Sequence, residues 1–181
     1  VYEAYMRAFT AVMPRAATRE RVREAFGELV LSQRVLDQLG PAVNGGHSLF
    51  IYGAPGNGKT VISQAIRNLL DGEIAIPQAI EANGHIIKVY DAVVHESLDG
   101  ATLAADEELD TGHAPDHRWV RCRRPLLTVG GELTLETLDL SFGPVSKFYQ
   151  APIQMSANGG VLVIDDFGRQ RCPPATILNR W

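Results

Sequence analysis

Apolar residues in the first seventy positions recur mostly with helical spacing, broken at one place by a short continuous run. Tyr2, Tyr5, Met6 and Phe9 predict a helix from Val1 to about Val12, ended by Pro14. A second helix is expected from Thr18 to Phe26, with Arg19, Glu20, Arg21, Arg23 and Glu24 as its solvated face. Ser32 reads as the N-cap of a short helix carrying Val35, Leu36 and Leu39, closed by Gly40 and Pro41. Asn44-Gly45-Gly46 then turns the chain into Leu49-Phe50-Ile51-Tyr52, a run that predicts a buried first strand. Val61, Ile62, Ala65, Ile66, Leu69 and Leu70 restore the helical period up to Asp71-Gly72.

The second half changes character. Ile86-Ile87-Lys88-Val89-Tyr90 is β-branched and nearly all apolar, which predicts a central parallel strand. From His95 to Asp116 the chain is acidic and aperiodic, so a surface loop with some helix is expected. Trp119–Thr128 and Leu133–Leu140 flank Val129-Gly130-Gly131, a hairpin signal, although Pro125 confines its own strand to an edge or bulge. Val161-Leu162-Val163-Ile164 is a last apolar run, ending in Asp165-Asp166. This order argues for an α/β fold: a three-layer, mostly parallel sheet with an inserted β-hairpin. The expected division is an N-terminal helical segment, 1–28, and a core, 29–181, with the hairpin insertion at about 117–140.

Between the first apolar run and the helix that follows lies Gly53-Ala54-Pro55-Gly56-Asn57-Gly58-Lys59-Thr60. A strand feeding a glycine-rich turn that opens a helix is the context in which this pattern holds a polyphosphate. Glycines let successive N–H groups converge on phosphate oxygens, and the helix adds its positive end beneath them. Lys59 would supply a mobile charge for the β- and γ-phosphates, and the Thr60 hydroxyl would ligate Mg²⁺. Residues 53–60 with Val61 form the expected nucleotide-binding set. Only Lys59, Lys88 and Lys147 are lysines, so one of three falls inside the loop.

Composition narrows the class. The 181 residues are 45% apolar and 21% charged, enough for one core of ordinary globular kind. A net charge of −4 gives no general reason to expect nucleic acid or an acidic membrane as partner. Cys122 and Cys172 are spaced neither as a metal pair nor as a redox motif, which suits a reducing compartment. No apolar stretch reaches membrane-spanning length and no signal peptide is visible, so a cytoplasmic protein without membrane insertion is the expectation. A start without Met inside an amphipathic segment, and a finish inside the helix-like run 177–181, lead us to expect truncation at both ends.

The acidic run supplies a second element of chemistry. A carboxylate at the end of a buried strand beside the phosphate loop reaches the Mg²⁺ shell, and the polar residue emerges at the carboxyl edge of the sheet. Asp165 is the expected metal-shell residue, with Thr60. Asp166 is placed to orient or deprotonate the attacking water, so Lys59 and Asp166 are the expected catalytic pair.

The loop, taken with Asn158-Gly159-Gly160-Val161-Leu162-Val163-Ile164-Asp165-Asp166, resembles the nucleotide-binding core of bacterial AAA-type ATPases. It is particularly similar to the branch containing magnesium chelatases and chaperone-like relatives, in which a hairpin precedes the acidic strand. The resemblance runs over about residues 30 to 170. It implies ATP and Mg²⁺ as cofactors, a homo-oligomer, and remodelling of a protein partner. Asp166 stands where the family usually has Glu, which shortens the base by one methylene and favours slow hydrolysis. The sensor, the arginine acting on a neighbouring subunit, and the helical lid are not assignable; Arg169 and Arg171 are open to a subunit contact or to plain solvation.

Other readings are carried alongside. Neither the guanine-recognition sequence Asn-Lys-x-Asp nor the transporter signature Leu-Ser-Gly-Gly-Gln occurs. An ATP-binding regulatory or scaffold module with little or no hydrolysis is the alternative. Arg118, Arg121, Arg123 and Arg124 with Trp119 could form a polyanion patch, or could meet the acidic stretch Asp106–Asp110 or a partner subunit. His113 and His117 with Asp116 could form a metal site, though solvated loop histidines are commoner.

Overall fold

The computed structural model describes residues 1–12, 18–27, 29–44, 48–52, 56, 58–70, 72–98 and 116–180. The chain divides into two compact units, one running to Asp71 and one starting at Gly72, and each is described by itself.

The described part of the first unit is helical. It comprises α1 (Tyr2–Val12), α2 (Arg19–Ala25), α3 (Gln33–Asn44) and α4 (Lys59–Leu69). Thr18 caps α2, its hydroxyl accepting from the Arg21 amide at 3.3 Å. Ile62, Ala65, Ile66 and Leu69 bury one face of α4, and Val22, Phe26 and Leu39 are buried on or beside the other helices. Two expectations fail here. Helix α3 passes through Gly40-Pro41 and ends only at Asn44. A proline removes one backbone donor, which a helix can survive by one turn when its neighbours are packed, and Leu39 and Gly40 are buried. The run 49–52 is no strand. Phe50 and Tyr52 are 69% and 85% exposed, their rings stacked at 6.5 Å, and no described residue of this unit offers a strand to pair with.

The second unit is mixed. Strand β1 (Glu73–Pro77) pairs antiparallel with β4 (Trp119–Arg123), setting Ile74 against the fully buried Cys122. A four-stranded sheet has the order β2 (Ala79–Ala82), β3 (His85–Lys88), β7 (Tyr149–Gln150), β6 (Ser141–Phe142). Strands β2 and β3 form a hairpin whose turn residues Asn83 and Gly84 both have positive φ, 52° and 78°. Such a turn matches strand twist, and Asn-Gly favours it. The stretch expected as a central parallel strand is therefore half of this hairpin, with parallel pairing only on its β7 side. Strand β5 (Leu126–Val129) pairs in parallel with β8 (Val161–Ile164).

Mixed α/β architecture is thus observed, but a mostly parallel sheet is not: among the described residues, two of the five strand pairings are parallel. Nor does the hairpin expected at about 117–140 form. Strands β4 and β5 belong to different sheets, because Pro125 cannot donate to a ladder and the chain changes partner at Arg124-Pro125. Beyond Val129 the chain makes a turn and a short 3₁₀ helix, residues 136–138, in place of a return strand. Leu133 and Leu138 point inward to join Val129, Cys172 and Ile177 in a core, with Leu162, Ile164 and Phe167 packed against it. Two short helices, α5 (Ile153–Ser156) and α6 (Pro174–Leu178), flank β8 in sequence, and Ile177 anchors α6 in that core. Neither cysteine is in a disulfide, and both are buried.

His95, 2% exposed, ties the loop after β3 to the end of α5. Its Nδ1 accepts from the Asp91 amide at 3.0 Å, and its Nε2 lies 2.9 Å from the Ser156 carbonyl, to which it donates. At Gly160 a Cβ would overlap the Pro125 carbonyl oxygen and come within 2.7 Å of Pro125 Cγ. Gly160→Ala should therefore destabilise the fold by about 1–3 kcal/mol, the usual cost of overpacking. Urea unfolding measures it, and a midpoint equal to wild type would contradict the packing.

Candidate nucleotide-binding site

The loop half of the candidate site is built by the start of α4. Gly56 and Gly58 have φ of 82° and 69°, a region in which a side chain is strained, and open space surrounds both. Conformation, not crowding, requires glycine there. Helix α4 begins at Lys59, and the Ile62 amide donates to the Gly58 carbonyl at 2.9 Å. No acidic residue occupies the first turn, so the positive end of the helix is not offset by a carboxylate in that turn. Lys59 is half-buried, Thr60 is exposed, and Val61 is 45% exposed, outside the buried face of the helix. Gly53, Ala54, Pro55 and Asn57 lie outside the described residues.

The acidic half is built by β8. The Asp165 amide donates to the Val129 carbonyl at 2.8 Å, which carries the β5–β8 ladder one step past the strand. Asp165 is half-buried, and its Oδ1 accepts the Asp166 amide at 2.9 Å. Asp166 has φ 49°, a left-handed conformation that Asp tolerates better than most residues. Its carboxylate is 65% exposed and lies 3.6 Å from the Arg169 guanidinium. Lys59, Thr60 and Val61 therefore stand together on α4, and Asp165 and Asp166 stand together after β8, the two groups belonging to different units.

Two supporting residues were missed as such by the sequence reading. Arg124, 7% exposed, donates from Nε to the Gly159 carbonyl at 2.6 Å, fixing the turn that enters β8. Burial pushes its guanidinium pKa below the ordinary value. Gln170 holds the turn that leaves β8: Nε2 donates to the Asp165 and Asp166 carbonyls at 2.9 and 3.2 Å, while Oε1 accepts the Gly168 amide at 2.7 Å. Neither role leaves a signal in the side-chain pattern, since each consists of bonds to the backbone.

The arginines weighed as a polyanion patch have partners within the chain. Arg118 is paired with Asp116, Arg121 with Glu73 and Arg123 with Glu96, at 2.8, 2.7 and 3.2 Å. The Arg118 side chain and amide hold the Asp116 carboxyl down at about 2. No group of three metal-ligating side chains occurs among the described residues, and His113 and the acidic stretch 106–110 lie outside them.

The described residues thus place two positive-φ glycines at the head of α4 and a pair of aspartates at the end of β8. Residues 28–99 match the family model of magnesium chelatase, subunit ChlI, which supports the magnesium chelatase-like branch and covers only part of a domain. That segment holds the glycine loop, α4 and β1–β3, while the acidic strand lies beyond it. No curated protein matches the chain. No helix among the described residues is long and apolar enough to cross a membrane.

At the end of β5 the Glu132 carboxylate accepts the Gly130 amide at 2.8 Å, which lowers its pKa from the ordinary 4.5. The resulting stabilisation is present above that ordinary value and is lost as pH falls through the lowered one. Thermal midpoints of wild type and Glu132→Gln should accordingly differ at about pH 6 and converge towards about pH 3. A gap that widens on acidification would refute the assignment.

Proposed function

We propose that this chain is the core of a Mg-ATP-dependent ATPase of AAA type, residues 29–181, preceded by a helical segment, 1–28. The observation carrying it is the pair of left-handed glycines before Lys59 at the head of α4, inside the segment that matches the ChlI model. Amides that follow positive-φ glycines and open a helix suit a polyphosphate, and the absence of an acidic residue from that turn leaves its dipole available to anions. Residues 53–61 would bind ATP, with Lys59 on the β- and γ-phosphates. Thr60 and Asp165 offer the hard oxygen donors Mg²⁺ prefers. When bound, the ion would neutralise charge on the β- and γ-oxygens.

In this reading Asp166 orients the attacking water and accepts its proton, while Lys59 and backbone amides stabilise charge growing on the phosphoryl oxygens. An aspartate reaches less far than glutamate, which favours slow turnover. The supporting resemblance also leads us to propose a homo-oligomer, a cytoplasmic setting and a protein partner as the object of remodelling.

A second reading, an ATP-binding regulatory or scaffold module, is favoured by one observation. Asp166 has an arginine partner in Arg169, which competes for the carboxylate a water would need. Phosphate release separates the two: steady turnover marks an ATPase, and tight binding without release marks a sensor. Lys59→Ala should weaken ATP binding at least about tenfold, since a charge-assisted contact is lost. Asp166→Asn should lower kcat about 100-fold with ATP affinity within about twofold, the range of general-base catalysis. Unchanged affinity in the lysine variant would remove the loop from the binding site.

A further inference from the structure

We propose that Gln170 is a positioning residue for this reaction, its carboxamide setting the carboxylates of Asp165 and Asp166; the inference rests on the ATPase reading above. The side chain reaches three backbone carbonyls from one nitrogen: Asp165 at 2.9 Å, Asp166 at 3.2 Å, and Gly130, at the end of the neighbouring strand, at 3.4 Å. Its oxygen takes the Gly168 amide at 2.7 Å, a return that the positive φ of Gly168, 101°, makes possible. One side chain thereby joins the ends of β5 and β8 and closes the turn after β8 on itself.

The geometry explains the choice of residue. Only a carboxamide of this length supplies both N–H donors and an acceptor at one point: a carboxylate has no donors, a lysine or arginine no acceptor, and asparagine is one bond shorter. The turn it closes is the one that holds Asp166 at φ 49°. Released from Gln170, Asp166 would relax towards negative φ and swing its carboxylate away from where β8 presents it. Asp165 would follow through the Asp166 amide, which it accepts at 2.9 Å. Gln170 bonds the backbone of Gly130, Asp165, Asp166 and Gly168, so it acts through the backbone and not on a substrate.

The test uses Gln170→Glu and Gln170→Leu in the intact protein, with Mg-ATP hydrolysis, ATP affinity and hydrogen–deuterium exchange of the segment 165–171. Misplacing a catalytic group by about an ångström lowers rate about 100-fold, so kcat of Gln170→Glu near neutrality should fall about 10- to 100-fold with ATP affinity within about twofold. Protonation returns one donor to that glutamate, so its kcat relative to wild type should climb as pH falls towards about 5. In Gln170→Leu the segment should exchange at least about tenfold faster; if that variant does not fold, exchange is read in Gln170→Glu. Unchanged kcat, or equal losses of affinity and kcat, overturns the assignment, as does unchanged exchange. Should wild type release no phosphate, the ATPase reading fails on its own, and exchange alone decides the clamp: faster supports it, unchanged overturns it.

Discussion

Where Gly160 passes Pro125, two backbones approach so closely that no side chain fits between them, and the register of β5 against β8 follows from that approach. The Val161 amide donates to the Pro125 carbonyl at 2.9 Å, the first rung of a ladder that ends with Asp165 on Val129. A parallel pair has evenly spaced bonds, so fixing its first rung fixes its last. Arg124 reinforces the same corner from its other side through the Gly159 carbonyl. Proline and glycine, usually breakers of strands, here define where this pair begins.

Charge in the second unit is arranged by pairing more than by accumulation. Its exposed arginines on β4 face Glu73 and Glu96 from other segments, and Arg180 meets Asp139 across a wide sequence separation. Pairs of this exposure add little stability each, and salt screens them. Their effect is local neutrality. The cationic run that stands out in the linear sequence is largely cancelled where the chain folds.

The helices of the first unit were legible because the apolar spacing of α4 is a property of its own residues. The positive φ of Gly56 and Gly58 was legible for the same reason, since that conformational demand is written in residue type. Sheet pairing was less so. The run 126–129 was seen as strand material, yet its partner lies more than thirty residues away, and nothing local chooses β8 over a hairpin return. Asn83-Gly84, by contrast, was a strong local signal for the β2–β3 hairpin, overlooked because the apolar run after it suggested a buried parallel strand. Asp165 and Asp166 could be singled out from the strand they end. Gln170 and Arg124 could not be given their roles, because those consist of bonds to backbone carbonyls, which no side-chain pattern encodes.

The two thiols sit in different places: Cys122 in the β1–β4 pair, fully buried, and Cys172 in the core around Ile177, 6% exposed. A thiolate must meet solvent before an alkylating reagent can reach it. Each sulfur is therefore a built-in clock for one part of the same unit, recording how often the antiparallel ribbon parts and how often the floor beneath the acidic turn lifts. Comparing the two labelling rates would reveal whether the unit opens as a whole or in pieces, with no cysteine introduced.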